Sequence, residues 1–85
     1  MIEIINELSE IMDRKNELEI QVDNLNYVFQ KTRLKAQQCL VEGNEEGYVN
    51  QIKIMDLLNI QLEGIAAESM ELVNRSKKVM EKLGM

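Results

Sequence analysis

Apolar side chains recur along this chain at alternating steps of four and three, in two blocks divided by a short gap bracketed by glycines. The first block runs through Met1, Ile4, Leu8, Ile11, Lys15, Leu18, Val22, Leu25, Phe29, Thr32, Ala36 and Cys39. The second runs through Tyr48, Ile52, Met55, Asn59, Leu62, Ala66, Ser69, Val73, Ser76, Met80 and Leu83. A helix turns every 3.6 residues, so a repeat of 3.5 held over several heptads keeps one narrow stripe against a partner helix. The spacing predicts an all-α chain in which two long helices fold into an antiparallel coiled-coil hairpin.

The first helix is expected over about residues 2–42, the turn over about 43–47, and the regular part of the second helix over about 48–83, all in one domain. The second helix is expected to start already at Asn44 or Glu45. Each helix would be roughly 60 Å long at 1.5 Å per residue. Gly43 suits the left-handed position just past a helix end, and Asn44 suits the cap of the next helix, followed by Glu45 and Glu46 at its positive terminus. Gly47 falls in the first turn of the second helix, where a weak helix former costs little. Gly64 sits in mid-helix and marks a candidate close approach by another backbone.

Folding the blocks about a turn centred between Glu45 and Glu46 sets Leu25 against Ala66, Phe29 against Leu62, Ala36 against Met55 and Cys39 against Ile52. Large side chains then mostly face small or medium ones, as close packing requires. The polar seam positions coincide as well, Thr32 with Asn59 and Lys15 with Ser76, which gives two expected polar layers. Lys15 either sets the register or snorkels out of the seam. Charge supports the same orientation. Seven acids and two bases occupy Glu3 to Asp23, while Arg75, Lys77, Lys78 and Lys82 crowd the end of the second helix; helix dipoles favour the same distribution.

More apolar residues occur than this seam uses. Ile20, Tyr27, Leu34 and Val41 recur every seven residues on the face of the first helix away from the seam, with Val28 beside them. Leu58, Ile65, Leu72 and Val79 do the same on the flank of the second, and Ile54, Leu57 and Ile60 extend the apolar character around it. Leaving about eight such side chains in water forgoes on the order of 10 to 20 kcal/mol. The hairpin is therefore expected to be a homodimer, two copies forming a four-helix bundle, with another helical protein as the competing occupant. The expected oligomer or partner surface is Tyr27, Leu34, Val41, Ile54, Leu57, Leu58, Ile60, Ile65 and Leu72. Near the turn, Lys31, Arg33 and Lys35 interleave with it, and no acid lies between Asn24 and Val41.

Composition narrows the chemistry. The 85 residues carry a formal charge of −5, which opposes phosphate binding, so nucleic acid is not an expected partner. No stretch approaches the roughly 18 to 20 apolar residues that span a bilayer, so no membrane partner and a cytoplasmic location are expected, with signal-less export as an alternative. The chain has no His, which removes the commonest general base and the usual triads. Cys39 is the only cysteine, so neither an intrachain disulfide nor a cysteine zinc site is available; a small buried hydrophobe is its expected role. Carboxylate pairs such as Glu3 with Glu7 are expected on solvated faces, and the acidic turn is too short for a twelve-residue calcium loop. No catalytic, cofactor or metal site is expected.

In format the chain is similar to several groups of small bacterial and phage proteins. These are the hairpins and accessory helical partners of type VII secretion, the small helical chaperones of flagellar and type III secretion, and phage inhibitors that mask a host surface. The type VII hairpins typically carry Trp-x-Gly at the turn, and this chain has no Trp. The resemblance covers shape only and transfers no residues; the missing enzyme chemistry and the surplus apolar stripe lead to the expectation of a non-enzymatic module that works by presenting helical surface to another protein. A sensor that binds a small ligand between its helices, at Thr32 and Asn59, is the expectation of a different class.

Overall fold

The computed structural model describes residues 2–84 and contains two helices, α1 (Ile2–Glu42) and α2 (Glu45–Lys82), with no strand among the described residues. They pack side by side as a rod of 62 × 15 × 15 Å, the length set by the rise of a forty-residue helix. Met1, the first position of the expected seam, lies outside the described residues.

The reversal takes two residues. Gly43 adopts φ 72°, the Asn44 amide donates to the Cys39 carbonyl at 2.8 Å, and the Gly43 amide donates to Leu40 at 3.2 Å, which closes the end of α1. The Asn44 side chain then accepts from the Gly47 amide at 2.9 Å and caps α2. Gly47 is closely approached by two side chains. A Cβ on it would lie 2.6 Å from Asn44 Nδ2 and 2.9 Å from Cys39 Sγ.

This short turn corrects the register. α2 starts at Glu45, as expected, but the reversal is centred on Gly43–Asn44 rather than between Glu45 and Glu46. Residues at equal distance from it stand level: Cys39 with Tyr48, Phe29 with Leu58, Leu25 with Leu62, and Leu18 with Ser69. The expected pairings of Leu25 with Ala66, Cys39 with Ile52 and Lys15 with Ser76 are thereby displaced. Cys39 is half-buried and lines a hollow at the turn with Tyr48.

Apart from Lys15, which is exposed, the described seam of α1 is the expected one: Ile11, Leu18, Thr32 and Ala36 are buried, and Ile4, Leu8, Val22, Leu25, Phe29 and Cys39 half-buried. The seam of α2 is a different row. Leu58, Leu72 and Val79 are buried and Ile65 half-buried, whereas Asn59, Ala66, Val73 and Met80 are exposed. Both rows share Tyr48, Met55, Leu62, Ser69, Ser76 and Leu83, and they differ by one residue at every alternate step. The row that carries Leu, Ile, Leu and Val removes more apolar area from water than one carrying Asn, Ala, Val and Met, so it wins. Ile11, Leu18, Leu72 and Val79 form the core, with Ile4, Leu8 and Ile65 packed on it.

Candidate interaction surface

The new register settles where each expected surface residue stands. Leu58, Ile65 and Leu72 do not belong to an outer stripe, because they fill the hairpin's own seam. Tyr27, Leu34, Val41, Ile54, Leu57 and Ile60 remain exposed, Leu57 at 62% and Val41 at 89%. Among the residues expected to form polar layers, Lys15 and Asn59 are exposed and Ser76 is half-buried, level with Ile11. Thr32 is buried, and its hydroxyl donates to the Val28 carbonyl of its own helix at 2.8 Å. Thr32 and Asn59 therefore do not make a shared polar pocket.

Two ion pairs identify one flank of the rod. Arg14 binds Glu68, and Arg75 Nη2 lies 3.8 Å from Glu7 Oε1. Stepping by heptads from Arg14 leads through Gln21 to Val28 and Lys35, and stepping back from Glu68 leads through Gln61 to Ile54. The flank is thus charged toward the open end and apolar toward the turn. Around Val28 and Ile54, helical spacing adds Leu57 and Ile60 on the outer side of α2 and Tyr27 and Leu34 on the outer side of α1. The result is a belt wrapped around one flank near the turn.

Lys31 holds its ammonium 4.7 Å from the centre of the Tyr27 ring, a cation–π contact within α1. Lys35 also borders the belt, while Arg33 falls on the opposite flank. The belt therefore has an apolar centre and a basic rim, the composition of a protein-binding patch.

Between the belt and the ion pairs, an open groove of about 470 Å³ has Leu18, Leu25 and Ile65 as its floor and Arg14, Gln61 and Glu68 on its rim. Gly64 lines it too, and nothing lies within 4 Å of where its Cβ would be. The close backbone approach expected at Gly64 is absent within the hairpin. The guanidinium of Arg14 donates to both Glu68 oxygens and to Glu17, which holds the Glu68 carboxyl below the usual carboxylate range and raises the Arg14 pKa further above its ordinary value. That charge is already neutralised by the chain itself.

Sequence reasoning missed a second apolar area on the other flank, toward the open end. Ile5 and Met12 on α1 share it with Val73 and Met80 on α2, all exposed. The signal was present in the larger apolar residues of the alternative α2 row, which, once taken as the seam, turn Val73 and Met80 outward. No described group of three or more His, Cys, Asp or Glu could hold a metal ion, and no helix is long and apolar enough to cross a membrane. No family model matches the chain, and no curated protein or solved structure matches it either.

Proposed function

We propose that this protein is a non-enzymatic assembly module that acts by presenting helical surface to other protein chains, itself included, with two hairpins pairing into a four-helix bundle in the cytoplasm. The observation that carries this is the belt. The hairpin fills its own seam and still leaves Tyr27, Leu34, Leu57 and Ile60 each about three-fifths exposed, gathered on one side beside Lys31 and Lys35. Such a patch, apolar at the centre and basic at the edge, suits an amphipathic helix that brings its own apolar stripe and acidic flank.

The sensor reading finds less support, because Thr32 satisfies its hydroxyl locally and Asn59 lies outside the seam. The test is capture of binding proteins from the native cell, read by mass spectrometry, with the intact chain and Leu57→Glu compared in parallel. The proposal expects a specific set of proteins that the variant loses while keeping its helicity. Identical sets from both would overturn the belt as the binding surface, and a small molecule that raises the melting temperature would favour the sensor.

A further inference from the structure

The open half of the rod has two unlike flanks. One carries the ion pairs of Arg14 with Glu68 and Arg75 with Glu7, and helical spacing sets Glu3, Glu10 and Glu17 beside it. The other carries Ile5, Met12, Val73 and Met80, with Met70 alongside; Met12 is 63% exposed and Met80 45%. Every acid of α1 before Leu18 points elsewhere, since Glu3, Glu7, Glu10, Asp13 and Glu17 all fall on the ion-pair side or the back of the helix. Ser9, Asn16 and Lys77 share the surface, and Lys15, Glu19 and Asp23 line its end toward the middle of the rod, beside Ser69.

We infer that a second copy of this chain covers this flank, leaving the near-turn belt free for a different protein; the inference rests on the assembly function proposed above and assigns the copy-to-copy contact to a surface. Area is the first reason. The chain exposes 6601 Å², whereas a compact globule of its mass exposes roughly 5,200 Å². The surplus of roughly 1,400 Å² exceeds the ~800 Å² per partner of an ordinary stable interface.

Electrostatics is the second reason. A chain of net charge −5 meets its own copy most cheaply where acids are few, and from Ile5 to Asn16 the α1 side of this flank carries none, Glu19 being the first. The belt near the turn is also free of acids, but it carries Lys31 and Lys35 on α1, two charges that a second copy of the same acid-free belt would bury without neutralising. The open-end flank is apolar along Ile5, Met12, Val73 and Met80, and its lysines, Lys77 and Lys15, have a long flexible reach to solvent, Lys15 beside Glu19 and Asp23.

Self-complementarity is the third. Ile5 stands level with Met80, and Met12 with Val73, at nearly equal distances from the turn. A twofold axis along the rod then lays the α1 row of one copy on the α2 row of the other, large apolar on large apolar. Ser9 falls level with Lys77, where the small side chain leaves room for the long one. Unbranched methionine adapts to such a contact without a preformed hole.

Sedimentation equilibrium of the full chain tests this, with Met12→Glu, Met80→Glu and Leu57→Glu as variants and circular dichroism as the check on folding. The intact protein should be dimeric at about 100 µM, each methionine variant should weaken the dimer at least about tenfold while staying helical, and Leu57→Glu should leave it unchanged. If either methionine variant loses helicity, the other decides. Dissociation by Leu57→Glu but not by the methionine variants would overturn this inference and leave the assembly function standing with a different contact. A monomeric intact protein at about 100 µM would overturn self-association altogether.

Discussion

Arg14 and Glu68 form a two-pronged bridge across the hairpin, with Nε donating to Oε2 at 2.7 Å and Nη2 to Oε1 at 2.9 Å. The remaining arm, Nη1, donates to Glu17 at 2.8 Å. A planar guanidinium that meets both carboxylate oxygens adds a directional preference, so the bridge favours this alignment as well as joining two charges. Its polarity is also the reverse of the general trend, with the base on the acidic half of α1. Glu68→Arg should therefore lower the urea midpoint, and adding Arg14→Glu should restore part of it, incompletely because the new carboxylate would lie beside Glu17. Equal midpoints for the single and double variants would remove the bridge from the register argument.

Acid should weaken the same contact. The Arg14 hydrogen bonds hold the Glu68 carboxyl below its ordinary range, so its folded pKa lies under its unfolded one. The associated stability is fully present above the unfolded pKa and is lost as pH falls through the folded one. The difference in midpoint between the intact protein and Glu68→Gln should accordingly be constant near neutrality and shrink below about pH 4. A difference that grows in acid would contradict this.

Adjacent positions on α2 should respond very differently to truncation. Leu72 is 5% exposed and belongs to the core with Leu18 and Val79, while Val73 is 38% exposed on the outer flank. Leu72→Ala should cost about 2 to 5 kcal/mol by urea denaturation. Val73→Ala should cost less than about 1 kcal/mol at concentrations where copies stay apart. Reversed costs would mean that α2 packs through its other row.

Much of this was legible in the sequence, and the errors have a single origin. The helices, the hairpin, the capping role of Asn44 and the seam of α1 follow from the apolar spacing and the turn chemistry, because each involves only local rules. The α2 row failed because 3.5 residues per turn makes a step of three and a step of four equally good from Tyr48, Met55 or Leu62, and periodicity alone does not choose between Leu58 and Asn59 or between Leu72 and Val73. Side-chain size does choose, yet the row assumed kept the size matching of Leu25 with Ala66 plausible within a register that the two-residue turn rules out. The belt residues Tyr27, Leu34, Leu57 and Ile60 survived because their exposure does not depend on that choice. Met80 went unnoticed because its exposure does depend on it, and Met12, exposed under either choice, had no apolar neighbour on α2 until Val73 and Met80 turned outward.

The glycines should separate in sign when each is replaced by alanine. Gly43 has φ 72°, a conformation costly to any residue with a Cβ, so Gly43→Ala should destabilise by about 1 kcal/mol. Gly47→Ala should cost about 1 to 2 kcal/mol, since its methyl would press on both Asn44 and Cys39 and displace the side chain that caps α2. Gly64 is ordinary helix with open space in front of it, so Gly64→Ala should stabilise the isolated hairpin by about 1 kcal/mol through helix propensity alone. Urea denaturation of the three variants at low concentration checks all of these. A loss of stability in Gly64→Ala under those conditions would show that the groove beside Arg14 and Gln61 is narrower than its geometry here allows.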